Sequence, residues 1–245
     1  MLPSLFISHG SPMLALNKTP AHEFLRELGK RLAPKAVVVI SAHWESLTLK
    51  VSSSSQPETI HDFGGFPREL FACQYPAPGE PALAERLTQL LGSEAVERGF
   101  DHGAWVPLSL MFPDANVPVV SVSLPVRWSN AELVDLGEKL SALREEGILI
   151  IGSGSLTHNL YELMPQDSSI PGWVDDFAQW VNHQLISDHR AALLNWESAP
   201  NARKNHPTPE HFLPLLVAMG AGGQATQLHH SVEHGVLAMD VYQFA

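Results

Sequence analysis

Cysteine is nearly absent. Cys73 is the only one in 245 residues, which excludes an internal disulfide framework and any cysteine-rich zinc cage. Positive charge is scarce as well: Lys and Arg total 15 against 26 Asp and Glu, and the formal net charge of -11 offers no general attraction to a phosphate backbone or an anionic lipid surface. Neither nucleic acid nor a membrane is an expected partner. No uninterrupted apolar run approaches the roughly 20 residues that span a bilayer, and the opening Met1-Leu2-Pro3-Ser4-Leu5-Phe6-Ile7 lacks the basic flank and long apolar stretch of a signal peptide. A cytoplasmic location is expected. With 44% apolar and 17% charged residues the chain can bury one large core and has little left for a separate module, so residues 1–245 are read as a single domain. Nothing in the sequence speaks to oligomeric state.

Four short, continuous apolar runs, Leu5 to Ser8, Ala36 to Ser41, Val117 to Leu124 and Ile148 to Ile151, read as strands covered on both faces, the pattern of a parallel sheet. Between them lie segments of helical spacing: Phe24, Leu25, Leu28 and Leu32; Leu83, Leu87, Leu90 and Leu91 after Pro81; and Leu133, Leu136, Leu140 and Leu143 behind a cap at Asn130. The alternation predicts an α/β fold with a mostly parallel central sheet flanked by helices. Further helices are expected over Trp173 to Leu185 and from Thr208-Pro209-Glu210, with Thr208 as cap and Pro209 at the first helical position. Val236 to Phe244 reads as one closing strand, and Gly220 to Gly223 as a helix stop.

What the chain does have is histidine, 13 in all. Three predicted strands run toward one: Ile7-Ser8-His9-Gly10, Ile40-Ser41-Ala42-His43-Trp44, and Ile150-Ile151-Gly152-Ser153-Gly154 continuing to Thr157-His158-Asn159. In an open parallel sheet the carboxyl ends of the strands share one edge, where ligands bind, so these imidazoles are expected to converge. His211, in the first turn of the helix after His206-Pro207, is placed to reach the same crevice. Neutral imidazoles are common ligands for Fe(II) and Zn(II). Taken singly, each is more often a capping or hydrogen-bonding group; three strand-end cases together put a shared metal site level with that reading.

Two further segments, His61-Asp62-Phe63-Gly64-Gly65-Phe66-Pro67 and Asp101-His102-Gly103-Ala104-Trp105-Val106-Pro107, combine histidine, glycine and aromatic residues, and each also reads simply as a turn with an aromatic anchor. Rival motifs are weak. Gly152-Ser153-Gly154-Ser155 lacks the spacing of G-x-G-x-x-G, the Lys of a Walker loop and the pattern of a serine nucleophile elbow. Nothing beside Cys73 marks an activated thiolate, and His229, His230 and His234 read as surface or supporting groups.

Taken in order, His9-Gly10-Ser11-Pro12, Ser41-Ala42-His43-Trp44, His61 to Pro67, Asp101-His102-Gly103, Gly152-Ser153-Gly154 with Thr157-His158-Asn159-Leu160, and Thr208-Pro209-Glu210-His211 resemble the class III extradiol ring-cleavage dioxygenases. The likeness is to the DOPA 4,5-dioxygenase type, related to the catalytic subunit of protocatechuate 4,5-dioxygenase, and runs to the closing Met239 to Phe244. The resemblance implies a non-haem Fe(II) enzyme that inserts O2 beside the two hydroxyls of a catechol and yields a ring-opened muconic semialdehyde. It implies His9, His43 and His211 as metal ligands, His211 being chosen over the adjacent Glu210. It implies His158 as the acid/base, with His102 in the catalytic set. His61, Trp44, Phe66 and Trp105 are expected to contact substrate. Zn(II) can occupy such a site in purified protein, with His158 as a fourth contact. Arg68, Arg127 and Lys204 are the cations available for a carboxylated substrate. A zinc-dependent hydrolase and a non-enzymatic binding protein on the same scaffold are the alternatives.

Overall fold

In the computed structural model, which describes residues 1–245, all four apolar runs lie side by side in one sheet. The strands are β1 (Ser4–Ser8), β2 (Ala36–Ser46), β3 (Lys50–Ser52), β4 (Glu94–Val96), β5 (Val119–Pro125), β6 (Ile148–Gly154), β7 (Ala225–His229), β8 (Val232–Glu233), β9 (Leu237–Ala238) and β10 (Val241–Phe244). Their order in the main sheet is β4-β3-β5-β2-β6-β1-β10-β7, with β8 and β9 forming a separate pair. The run β5-β2-β6-β1 is parallel throughout, and β10 and β7 extend it antiparallel. The helices are α1 (Pro20–Gly29), α2 (Arg68–Phe71), α3 (Pro81–Leu91), α4 (His102–Met111), α5 (Asn130–Leu140), α6 (Gly172–Ile186), α7 (Arg190–Leu193), α8 (Ala202–Asn205) and α9 (Leu213–Ala221).

Because side chains alternate along a strand, the central strands feed two cores. Phe6, Val38, Ile40, Ile148 and Ile150 enter the core built with α3, α5, α6 and α9. Leu5, Ile7, Val37, Val39, Leu149 and Ile151 enter the one built with α1 and α4. This is why the strands read as unbroken apolar runs: both faces are covered. Every residue of α9 is buried, and each of its leucines contributes about 1.5–3 kcal/mol by leaving water.

Several predicted boundaries move. Helix α5 is capped by Ser129, one residue before the expected Asn130, in a capping box with Glu132. The helix expected from Pro209 begins instead at Leu213: a helix running from Pro209 would place Pro214 in its interior, where it lacks an N–H and strikes the carbonyl four residues back. Residues 209–212 form a turn closed by Phe212 N–H donating to the Pro209 carbonyl at 2.9 Å, and Thr208 donates to Glu210 Oε1 at 3.0 Å rather than capping. The closing strand is interrupted at Met239-Asp240 between β9 and β10. Helix α4 stands where the sequence reads as a turn with an aromatic anchor; it starts at His102 behind Asp101, whose carboxylate accepts the Ala104 N–H at 3.2 Å.

Candidate metal centre

The carboxyl ends of the adjacent parallel strands β1, β6 and β2 bring His9, His158 and His43 to one edge. His9 follows β1 directly, and the chain then turns through Gly10 at φ +60, a conformation an L side chain resists. His43 lies within β2, in a bulge: from Ile40 to Glu45 that strand takes five steps while β5 takes two, from Val122 to Leu124. The extra residues re-aim the side chain. His211 sits in the turn before α9. That turn closes onto β6 because Gly154 and Gly152 leave room for it: a Cβ at either would overlap the carbonyl oxygen of His211 or of Pro214. The Ser155 N–H donates to the His211 carbonyl at 2.8 Å. Gly152-Ser153-Gly154 is thus a seat for the His211 turn.

The Nε2 atoms of His9 and His43 stand 3.0 Å apart, and those of His43 and His211 3.2 Å apart. The opposite ring nitrogens face oxygen acceptors. His211 Nδ1–H donates to Glu210 Oε1 at 2.8 Å. His9 Nδ1–H donates to Ser153 Oγ at 3.0 Å, and the Ser153 hydroxyl is itself committed to the Gly103 carbonyl. That carbonyl is free because its partner in α4 would be residue 107, and Pro107 has no N–H. His43 Nδ1 faces Asp62 Oδ2 at 3.6 Å, and Asp62 Oδ1 accepts both the backbone N–H and the Nδ1–H of His102, at 2.9 and 3.0 Å. The His158 ring stacks on His211, with centroids 3.4 Å apart, on a segment held by His158 N–H donating to the Asn205 carbonyl at 2.9 Å.

Burial holds His9 and His211 well below the ordinary imidazole pKa, and the neighbouring imidazoles reinforce it. Burial lowers His43 to about 3, with His102 adding to the effect and Asp62 opposing it, and lowers His158 to about 4 against the pull of Glu210. For Asp62 burial works upward, but hydrogen bonds and charge from His102 prevail and hold the carboxyl at about 2. His9, His43, His158 and His211 are therefore neutral near pH 7, with Nε2 lone pairs of His9 and His211 turned inward and no proton to share between them.

Such a set of donors fits a cation. Two nitrogens each about 2.1 Å from one ion stand about 3.0 Å apart at a right angle and about 3.4 Å apart at the tetrahedral angle, which brackets the observed 3.0 and 3.2 Å. Donor atoms of His9, His43 and His102 all lie within 4.8 Å of one another, as do those of His158, Glu210 and His211. The direct Nε2 approaches join the two groups through His43. Glu210 is occupied as the acceptor for the His211 ring, which leaves the imidazole facing inward.

A cavity of about 660 Å³ opens over this cluster, and His9, His43, His102, His158, His211 and Phe66 line it. Three residues expected at the substrate do not. His61 donates Nε2–H to the Cys73 carbonyl and packs behind Phe63 with Trp105. Trp105 is turned away to donate Nε1–H to the Ile60 carbonyl, and Trp44 lies under the Arg98 guanidinium. Asp62, Phe63 and Leu160, which stand in the motifs without an assigned role, reach the cavity, as do Leu163, Leu237 and His234. Cys73 is half-buried with its pKa raised by burial, the reverse of an activated thiolate. No helix is long and apolar enough to cross a membrane.

Residues 3–242 match the family model described as the catalytic LigB subunit of aromatic ring-opening dioxygenase. The chain is 40% identical to a 4,5-DOPA dioxygenase extradiol of Beta vulgaris, over 98% of this chain and 96% of that protein. It is 41% identical to the one of Escherichia coli K12, over 90% and 85%. The crystal structure of an uncharacterized protein from Escherichia coli K12 superposes with a TM-score of 0.85 at 34% identity, covering all of both chains. Sequence relatives and backbone agree along nearly the whole length, and the chain belongs to the aromatic ring-opening dioxygenase family, in its extradiol LigB-type branch.

Proposed function

We propose that this chain opens the ring of a DOPA-like or other substituted catechol beside its two hydroxyls, consuming O2 and giving a muconic semialdehyde, with Fe(II) held by His9, His43 and His211. The observation that carries this reading is the approach of their three Nε2 atoms to 3.0 and 3.2 Å at the floor of the cavity. Bound Fe(II) supplies the electron path between catechol and O2 and, with three protein donors, keeps positions open for both. His158 is neutral at pH 7 and faces the same cavity, so its ring accepts a proton from a catechol hydroxyl and returns it to oxygen as the ring opens. His102, its Nδ1–H fixed on Asp62 and its ring in the cavity lining, hydrogen-bonds the second hydroxyl. Phe63, Phe66 and Leu160 exclude water from the ring.

The test is anaerobic reconstitution with Fe(II), followed by addition of oxygenated catechols. Oxygen uptake matched by a yellow semialdehyde is the expected result, and zinc-loaded protein should give neither. A panel of substituted catechols that yields no uptake with the iron-loaded protein refutes the proposal. Hydrolytic activity that needs no O2 and persists with zinc alone supports a zinc hydrolase in its place.

A further inference from the structure

Beyond the imidazoles, the cavity wall has one chemical character. Pro12, Phe63, Phe66, Leu160, Leu163 and Leu237 form it, and no Lys or Arg lines the cavity. The cations a carboxylated catechol would need are engaged or placed elsewhere. Arg98 lies over Trp44 and reaches the His43 carbonyl and the Asp101 carboxylate; Lys204 stands over the Trp173 ring; Arg68 and Arg127 are exposed and outside the lining. The polar side chains on the outer wall are His234 and Ser11. His234 donates Nδ1–H to the Met164 carbonyl at 3.2 Å, and the Ser11 oxygen accepts the Met13 N–H. The acidic side chain in the lining is Asp62.

An anionic substituent on the ring would leave water for this wall and find no Lys or Arg there; an uncharged one gains from every apolar area it covers. The volume of about 660 Å³ falls in the range of sites that enclose ligands well beyond a bare ring. Resting on the reading of the site as a catechol-opening centre, we infer that it selects catechols whose further substituent carries no net negative charge, an uncharged apolar side arm above all. Catechols bearing a lone carboxylate are excluded. A DOPA side chain pairs its carboxylate with an ammonium and has no net charge, so it is not among the excluded class.

A matched pair tests this: 3,4-dihydroxyphenylacetate and its amide, which share a shape and differ in charge. Calorimetry on zinc-loaded protein should show the amide bound at least about tenfold tighter, and iron-loaded protein should show the same ratio in kcat/KM. Leu160 is 55% exposed at the rim, so Leu160→Arg tolerates its charge and should narrow or reverse the ratio by supplying the missing cation. Equal or tighter binding of the acid by the unaltered protein overturns the inference. The expected binding ratio without ring opening of either compound upholds the selectivity and overturns the ring-opening reading; binding of neither overturns both.

Discussion

The two halves of the site are held by different means. His9 and His43 are carried on β1 and β2, where the hydrogen-bonded ladder and the bulge between Ile40 and Glu45 set their positions. His158 and His211 are carried on connecting segments, which reach the same point because β6 is bare of side chains at Gly152 and Gly154 and because the Ser155 and His158 amides bond to the segments around residues 205–211. The strand half depends on register, and the turn half on one close backbone approach. Ligand geometry on loops is ordinarily the less rigid, and here the fully buried α9 behind His211 supplies the stiffness.

Substitutions can break that comparison, beginning with the largest effect. His9→Ala or His43→Ala should abolish stoichiometric metal binding and turnover together, measured by metal content and oxygen uptake; normal iron binding in His9→Ala would falsify the assignment. His158→Ala should keep the metal and lose about 10²–10⁴ in kcat. If it also loses metal, the two halves do not divide as described. Gly154→Ala sets a methyl against the His211 carbonyl and should cost about 1–3 kcal/mol in denaturant unfolding, with a loss of metal affinity that Gly→Ala at the exposed Gly172 does not cause. Glu210→Ala and Ser153→Ala each free a ring and should weaken metal binding about 10–100-fold, Glu210→Ala in the turn half and Ser153→Ala in the strand half.

The smallest effect concerns His206, which supports the turn half from within the core. Its ring packs against Phe177, Trp196 and Phe212 and donates Nε2–H to the Leu156 carbonyl, and burial lowers its pKa to about 4. Below the ordinary value of 6.5 the unfolded chain takes up a proton that the folded one refuses, so stability falls as pH drops from 6.5 toward 4. At pH 5.5 the loss from this residue is about 1 kcal/mol. His206→Leu should make the decline in Tm between pH 7.5 and 5.5 shallower than in the unaltered protein.

The parallel centre of the fold was legible because strands covered on both faces are apolar without alternation, and three strand ends pointed to histidines. Helix α4 is not, since all of its residues but Ser109 are buried, leaving no polar face to mark a period, and it contains Pro107; the Pro209 that reads as the start of α9 begins a turn instead. In the site, the imidazoles were visible by residue type. The groups that orient them were not: Ser153 and Asp62 are ordinary polar residues 144 and 40 positions from the rings they serve. Trp44, Trp105 and His61 stay out of the cavity lining because their side chains are held elsewhere, by the Arg98 guanidinium, the Ile60 carbonyl and the Cys73 carbonyl.

The bulge in β2 has a consequence for motion. Pairing with β5 resumes at Glu45 and Ser46, so the residues around His43 form an arch pinned at both feet and not a fraying end. Inside the arch the His43 amide donates to the Ser41 hydroxyl at 3.2 Å and not to a neighbouring strand, so its proton should exchange with deuterium sooner than those of the laddered residues Val37 to Ile40.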